Sequence, residues 1–240
     1  MDRYSQAGNS FVIVDDGIPA DIPHICGDAD GVIVVGESAV ADVRMRIFNN
    51  DGSAVAMCGN GICCTMAYFY NAGRCGDCAS IETESGILEL SYDDGIVTTT
   101  LPLPSELRDV TVVLDNGTTF SGTFLDTGVP HYVVATDGPL DIESVGSAIR
   151  HHDFFAPEGT NVDFVERDGD MIYIRTYERG VEGETLACGT GAAAAALASG
   201  APSPVVIKTH SGETLTVSFE RIDSKTKALS LTGTPMKHET

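Results

Sequence analysis
At 240 residues and 25.2 kDa the chain has room for two domains of about 100 to 130 residues, and 42% hydrophobic content with 26 glycines fits a folded, turn-rich α/β protein. Thirty-five acidic against 14 basic residues give a formal net charge of −21, which argues against a nucleic-acid partner and fits either a solvated acidic surface or adaptation to a high-salt cytoplasm. No apolar run approaches the roughly 20 residues that span a bilayer, Met1-Asp2-Arg3-Tyr4 lacks a signal-like pattern, and seven cysteines is an odd count, so a cytoplasmic protein with reduced thiols and no membrane partner is expected.

In chain order, Phe11–Val14, Gly31–Val35 and Val43–Phe48 read as strands from their alternation. Asn49-Asn50-Asp51-Gly52 is turn chemistry, and Ala54–Cys58 leads into a glycine-rich element. A helix follows from Gly61 to about Asn71, packed through Ile62, Met66 and Phe69 and ended by Asn71-Ala72-Gly73. Strands are expected near Ser80–Glu82, Ile87–Tyr92 and Ile96–Leu101, and Leu101-Pro102-Leu103-Pro104-Ser105 is the candidate boundary. Two strands, a strand after Gly128, a short helix over Ile142–Ile149 and strands at Val162–Val165 and Met171–Tyr177 come next. An alanine-built helix from Gly191 to about Ser199 has side chains small enough to be enclosed by strands. Strands at Val205–Thr209, Thr214–Phe219 and Leu229–Leu231 complete the chain. These elements place the domains at 1–104 and 105–228, with a possible return of 229–240 to the first.

The two halves repeat their landmarks. Met57-Cys58-Gly59-Asn60-Gly61 answers to Ala187-Cys188-Gly189-Thr190-Gly191, Gly8-Asn9-Ser10-Phe11 to Gly128-Val129-Pro130-His131, Arg46-Ile47-Phe48-Asn49 to Arg175-Thr176-Tyr177-Glu178, and Thr83-Glu84-Ser85-Gly86 to Thr209-His210-Ser211-Gly212. Order kept across whole halves means two copies of one domain. A Cys-Gly-x-Gly turn opening a helix offers outward N–H groups and the positive end of the helix dipole to a carboxylate. The same field is expected to lower the thiol pKa. Two such thiols on opposite faces of a carbon next to a carboxylate would remove a proton from one side and return it on the other, with the N–H groups stabilising the carbanion. No motif for a metal or pyridoxal cofactor is evident, so no cofactor is expected.

Phe48-Asn49-Asn50-Asp51-Gly52-Ser53 through Gly61, and Tyr177-Glu178-Arg179-Gly180-Val181-Glu182-Gly183-Glu184-Thr185-Leu186-Ala187-Cys188-Gly189-Thr190-Gly191, resemble the two signatures of the diaminopimelate epimerase family. The resemblance extends over the chain through Gly8-Asn9, Pro130-His131, Gly159-Thr160-Asn161 and Leu231-Thr232-Gly233. It implies an α/β (α+β) fold of two pseudo-symmetric domains, each a β-barrel-like sheet around a central helix. It also implies cofactor-independent epimerisation of a small amino-acid substrate. Matched position by position, Cys58 and Cys188 are the acid/base pair. Gly59, Asn60, Gly189 and Thr190 hold the reacting carboxylate, and Asn9, Asn49, Asn161, Glu178 and Arg179 bind the remaining groups. Glu178 and His131 tune the thiols or align the amine. Ser10, Cys63 and Val129 depart from the family pattern, which keeps a racemase of another amino acid, such as histidine, in view. A non-catalytic amino-acid-binding or thiol-redox relative is the reading from a different class. The oligomeric state is open, a homodimer included.

Several patterns have plainer readings. Cys75-x-x-Cys78 has metal-ligand spacing, but Cys63 and Cys64 fall on different sides of a helix and the four are expected to be ordinary packing residues. His151-His152-Asp153 reads as a loop.

Overall fold
The computed structural model describes residues 1–15, 17–55, 57–223 and 225–238. The chain divides into two compact units, one formed by Met1–Thr100 with the chain from Thr232 onward, the other by Leu101–Leu231.

The first unit runs β1 (Asp2–Gln6), β2 (Asn9–Asp15), α1 (Ile22–Cys26), β3 (Gly31–Gly36), β4 (Val43–Asn49), β5 (Ala54–Val55), α2 (Gly59–Asn71), β6 (Cys78–Thr83), β7 (Gly86–Asp93) and β8 (Ile96–Thr100). β1 and β2 form a hairpin around Ala7 and Gly8, both with positive φ, as a two-residue turn that follows strand twist requires. β2 then pairs parallel with β3, β3 antiparallel with β4, β4 parallel with β6, and β6, β7 and β8 antiparallel in series. Each parallel step needs a crossover, supplied by α1 between β2 and β3 and by α2 between β4 and β6. α2 packs against β1, β2, β3, β4, β7 and β8, so its residues Gly59 to Phe69 are buried almost all round.

The second unit runs β9 (Ser105–Val113), β10 (Thr119–Asp126), β11 (Pro130–Ala135), α3 (Ile142–Arg150), β12 (Asn161–Asp168), β13 (Met171–Glu178), β14 (Gly183–Thr185), α4 (Gly189–Ala198), β15 (Val205–Lys208), β16 (Thr214–Ile222) and most of β17 (Lys225–Gly233). Its ladder is the same: β10 and β11 antiparallel, β11 and β12 parallel, β12 and β13 antiparallel, β13 and β15 parallel, β15 and β16 antiparallel. The registers agree too. Phe11 stands opposite Gly31 as His131 stands opposite Asn161, and Ile33 opposite Ile47 as Asp163 opposite Thr176. α4 packs against β10, β11, β12, β13, β15 and β16, with Ala192 to Ala196 at most 1% exposed. Small side chains permit strands to enclose a helix on every side.

β9, which pairs with β10, has its counterpart in the first unit at the other end of the chain. β18 (Met236–His238) pairs antiparallel with β1, where Lys237 meets Asp2 at 2.7 Å and His238 Nε2 lies 2.7 Å from Ser5 Oγ. The last residues of β17 also belong to the first unit, where the Thr98 and Thr232 hydroxyls are 2.9 Å apart. Of the expected return segment, residues 239 and 240 lie outside the described residues, as does Ala56 in the lead-in to Cys58. The structure adds elements that alternation did not suggest: β1, α1, β5, β14, β18 and a short 3-10 turn at Asp153–Phe155, where a loop was expected. Both central helices begin two residues earlier than expected, at Gly59 and Gly189, because the cysteines serve as N-caps despite the low helix propensity of glycine. Among the described residues no helix is long and apolar enough to cross a membrane.

Candidate active site
The two cysteines occupy the same local geometry. Cys58 is the N-cap of α2 with φ −142 and ψ 118, and Cys188 the N-cap of α4 with φ −125 and ψ 115. Extended backbone at the N-cap turns the chain into the helix and leaves the first N–H groups outside the intrahelical ladder. Gly59 and Asn60, like Gly189 and Thr190, supply these groups.

In the first unit the amides form a row. Asn60, 2% exposed, donates from Nδ2 to Asn9 Oδ1 at 2.7 Å and accepts at Oδ1 from Gln6 Nε2 at 3.4 Å. Gln6 thus fixes which way Asn60 faces, and Asn60 fixes Asn9. Asn49, at the end of β4, closes the expected turn: it donates from its backbone N–H to the Ser53 carbonyl and from Nδ2 to Ser53 Oγ, both at 2.9 Å. Cys63 and Cys64 are fully enclosed in the core around α2, and burial pushes the Cys63 thiol up to about 12. Ser10 pairs through both its backbone N–H and its hydroxyl with Asp30 Oδ2, at 2.8 and 2.9 Å. Among the described residues no group of three or more His, Cys, Asp or Glu is placed to hold a metal ion.

The second unit gathers a larger cluster. Cys188 Sγ accepts from the Gly191 N–H at 3.4 Å and lies 3.3 Å from Thr190 Oγ1. Thr190 Oγ1 lies 3.0 Å from His131 Nε2, and His131 Nδ1 lies 2.7 Å from Asp163 Oδ2. The Thr176 hydroxyl donates to the other oxygen of Asp163 at 2.8 Å, and the Thr127 hydroxyl to the Thr190 carbonyl at 3.1 Å. His131 and Asp163 are 0% exposed. Asn161, beside His131 on the neighbouring strand, spends both ends of its amide on backbone, giving Nδ2 to the Pro130 carbonyl and taking the Arg179 N–H on Oδ1. It is a brace between the start of β11 and the end of β13. Arg179 lines a cavity of about 320 Å³ with Arg108, Phe124, Phe154 and Glu158.

One expectation is corrected. The helix dipole was to lower the thiol pKa, yet the Cys188 thiol is held well above its ordinary value, chiefly by burial and further by the negative charges of Glu178 and Asp163. The Thr190 hydroxyl and the Gly191 N–H act in the opposite direction and are outweighed. Glu178 is also raised by burial, an effect that Thr185 and His131 partly offset. Burial and the charges of Glu178 and Asp163 thus favour the thiol form of Cys188 over the thiolate.

Asp163, Thr176, Thr127 and Gln6 were not singled out from sequence. Asp163 left a trace, as a carboxylate in the apolar run Val162-Asp163-Phe164 of a strand whose copy carries Ile33.

The family model described as diaminopimelate epimerase matches residues 7–99 and 123–237. Among curated relatives, the diaminopimelate epimerase of Aquifex aeolicus is 38% identical over 262 residues, covering 96% of this chain and 92% of the relative. That of Archaeoglobus fulgidus is 41% identical, covering 79% and 77%. Two solved structures share the fold: a PhzF-family phenazine biosynthesis protein from Bacillus anthracis, with TM-score 0.72 at 17% identity over 99% of this chain and 96% of that one, and a probable proline racemase from Agrobacterium radiobacter K84, with TM-score 0.73 at 16% identity over 99% and 91%. With the doubled domain and its two cysteine-capped helices, these matches carry one conclusion: the chain belongs to the diaminopimelate epimerase family.

Proposed function
We propose that the protein is a cytoplasmic epimerase that interconverts LL- and meso-diaminopimelate, with Cys58 and Cys188 as the two acid/base groups at one α-carbon. The observation that carries this reading is the repetition of the same cysteine-capped, glycine-bearing helix start in both units. One thiol must arrive with a proton and the other without, and the burial that favours the thiol form of Cys188 supports the first part for it. The backbone N–H groups of Gly59, Asn60, Gly189 and Thr190 bind the α-carboxylate and take up charge as the carbanion forms, the step that dominates the barrier. Asn9, Asn49, Asn161, Glu178 and Arg179 recognise the rest of the substrate, where the planar guanidinium of Arg179 suits a remote carboxylate.

The family departures bear on this choice unequally. Cys63 is enclosed in the core around α2, which favours a packing role for that substitution. The test is deuterium entry from solvent at the α-carbon of diaminopimelate. Cys58→Ala and Cys188→Ala are each expected to reduce it by at least about 1,000-fold with the fold retained. Exchange at the unmodified rate in either variant would rule out the two-thiol reading, and exchange only into another amino acid would replace the substrate.

A further inference from the structure
The doubled fold contains its own control for the cluster behind Cys188. The register places Phe11, Ile33 and Ile47 of the first unit where His131, Asp163 and Thr176 stand in the second. Ile33 and Ile47 in the first unit, and Asp163 in the second, sit under the first turn of the central helix. A Cβ on Gly61 would lie 3.0 Å from Ile47 Cδ1 and 3.3 Å from Ile33 Cδ1, and one on Gly191 would lie 2.5 Å from Asp163 Oδ1. The first unit closes this position with hydrocarbon. The second closes it with a carboxylate and an imidazole that are 0% exposed, though burying such groups is costly and apolar replacement is often neutral or stabilising. The fold does not need them there.

Their hydrogen bonds run in one line to sulfur. With Asp163 accepting from Nδ1–H, His131 is held in the tautomer whose Nε2 is an acceptor, and the Thr190 hydroxyl can donate to it at 3.0 Å while accepting from the Cys188 S–H at 3.3 Å. Thr176 fills the second carboxylate oxygen.

We propose that Asp163 is a positioning residue for Cys188: it fixes the His131 tautomer and balances the imidazolium that forms when Cys188 sheds its proton to become a base. In that step the S–H bond breaks as Thr190 Oγ1 takes the proton, and the hydroxyl's own proton passes to His131 Nε2. The products are a thiolate, an unchanged hydroxyl and an imidazolium paired with Asp163, with no net gain or loss of protons. The reverse path reprotonates Cys188 without bulk water. Glu178 is the other ionisable group whose charge Cys188 feels, and its negative charge opposes thiolate formation, so a proton acceptor on the far side of Thr190 is what the cluster requires.

This inference rests on the reading of Cys188 as an acid/base group, and the experiment separates the two. Epimerisation kinetics and α-deuterium exchange are measured on the full chain for Asp163→Asn, for the triple replacement His131→Phe, Asp163→Ile, Thr176→Ile copied from the first unit, and for Cys188→Ala. Asp163→Asn keeps the shape of the side chain and removes its charge; kcat is expected to fall on the order of 100-fold while KM stays within about threefold. The triple variant is expected to melt no lower than the unmodified protein and to show the same loss of turnover. A purely structural role predicts the opposite, activity restored once the apolar set packs. Unmodified kcat in Asp163→Asn, or exchange at the normal rate in the triple variant, overturns the inference while an inactive Cys188→Ala leaves the two-thiol reading standing. Full exchange in Cys188→Ala overturns that reading itself.

Discussion

Glu178 illustrates how a single side chain trades stability for position. Burial raises its pKa above the ordinary 4.5, so its charged form is less favoured in the folded state than in the unfolded one. For a carboxyl raised on folding, the stability it contributes is complete below the unfolded value and is lost as the pH rises through the folded value. Glu178→Gln should accordingly melt higher than the unmodified protein at pH 7, with the difference vanishing below about pH 4. Its proposed part in substrate binding predicts kcat/KM lower on the order of 100-fold over the same range. Melting curves at several pH values beside steady-state rates check both signs, and a variant that is less stable at pH 7 would contradict the assignment of burial as the cause. The Cys188 thiol obeys the same physics with a different result. A helix N-terminus lowers a thiol pKa where solvent screens little else, but here desolvation and two carboxylates act on one enclosed sulfur.

At the level of elements, the Cys-Gly-x-Gly turn is where spacing alone was most informative. The alternation of Val43–Phe48 announced β4 because an apolar period reports which face is buried, and the alanine run after Gly191 announced α4 through its helix propensity. β1 and β18 were silent for the converse reason: Asp2-Arg3-Tyr4-Ser5-Gln6 and Met236-Lys237-His238 carry few apolar side chains, and they are strands through pairing, β1 with β2 and β18, and β18 with β1. The sequence named the cysteines and their glycines, while Asp163, Thr127 and Gln6 act through partners 32, 63 and 54 residues away, a relation no local pattern encodes. Gly191 belongs to the same element and can be tested in isolation. A methyl group there would meet Asp163 Oδ1 at 2.5 Å, so Gly191→Ala should cost about 1–3 kcal/mol in stability by denaturant melting and depress turnover further than the stability loss explains. Gly86, where a Cβ meets nothing within 4 Å but φ is +124, should lose stability when replaced by alanine without that second effect.

Across the whole molecule, the duplication is complete in topology but not in sequence order. The outer strand beside β10 is β9, made immediately before it, whereas the outer strand beside β1 is β18, made some 230 residues later. A chain ending at Pro235 should lose the β1 partner and the Lys237–Asp2 and His238–Ser5 contacts, lowering the melting temperature by roughly 5–10 °C, which calorimetry would measure directly. The net charge of −21 adds a general repulsion that salt relieves, in the same direction for every variant. The placement of β18 also sets a timetable. As the polypeptide leaves the ribosome, β1 emerges before β18 and waits with one edge unpaired through the synthesis of the second unit, while Leu101–Leu231 contains all its own strands. The half of the protein that is translated first is the half that is finished last.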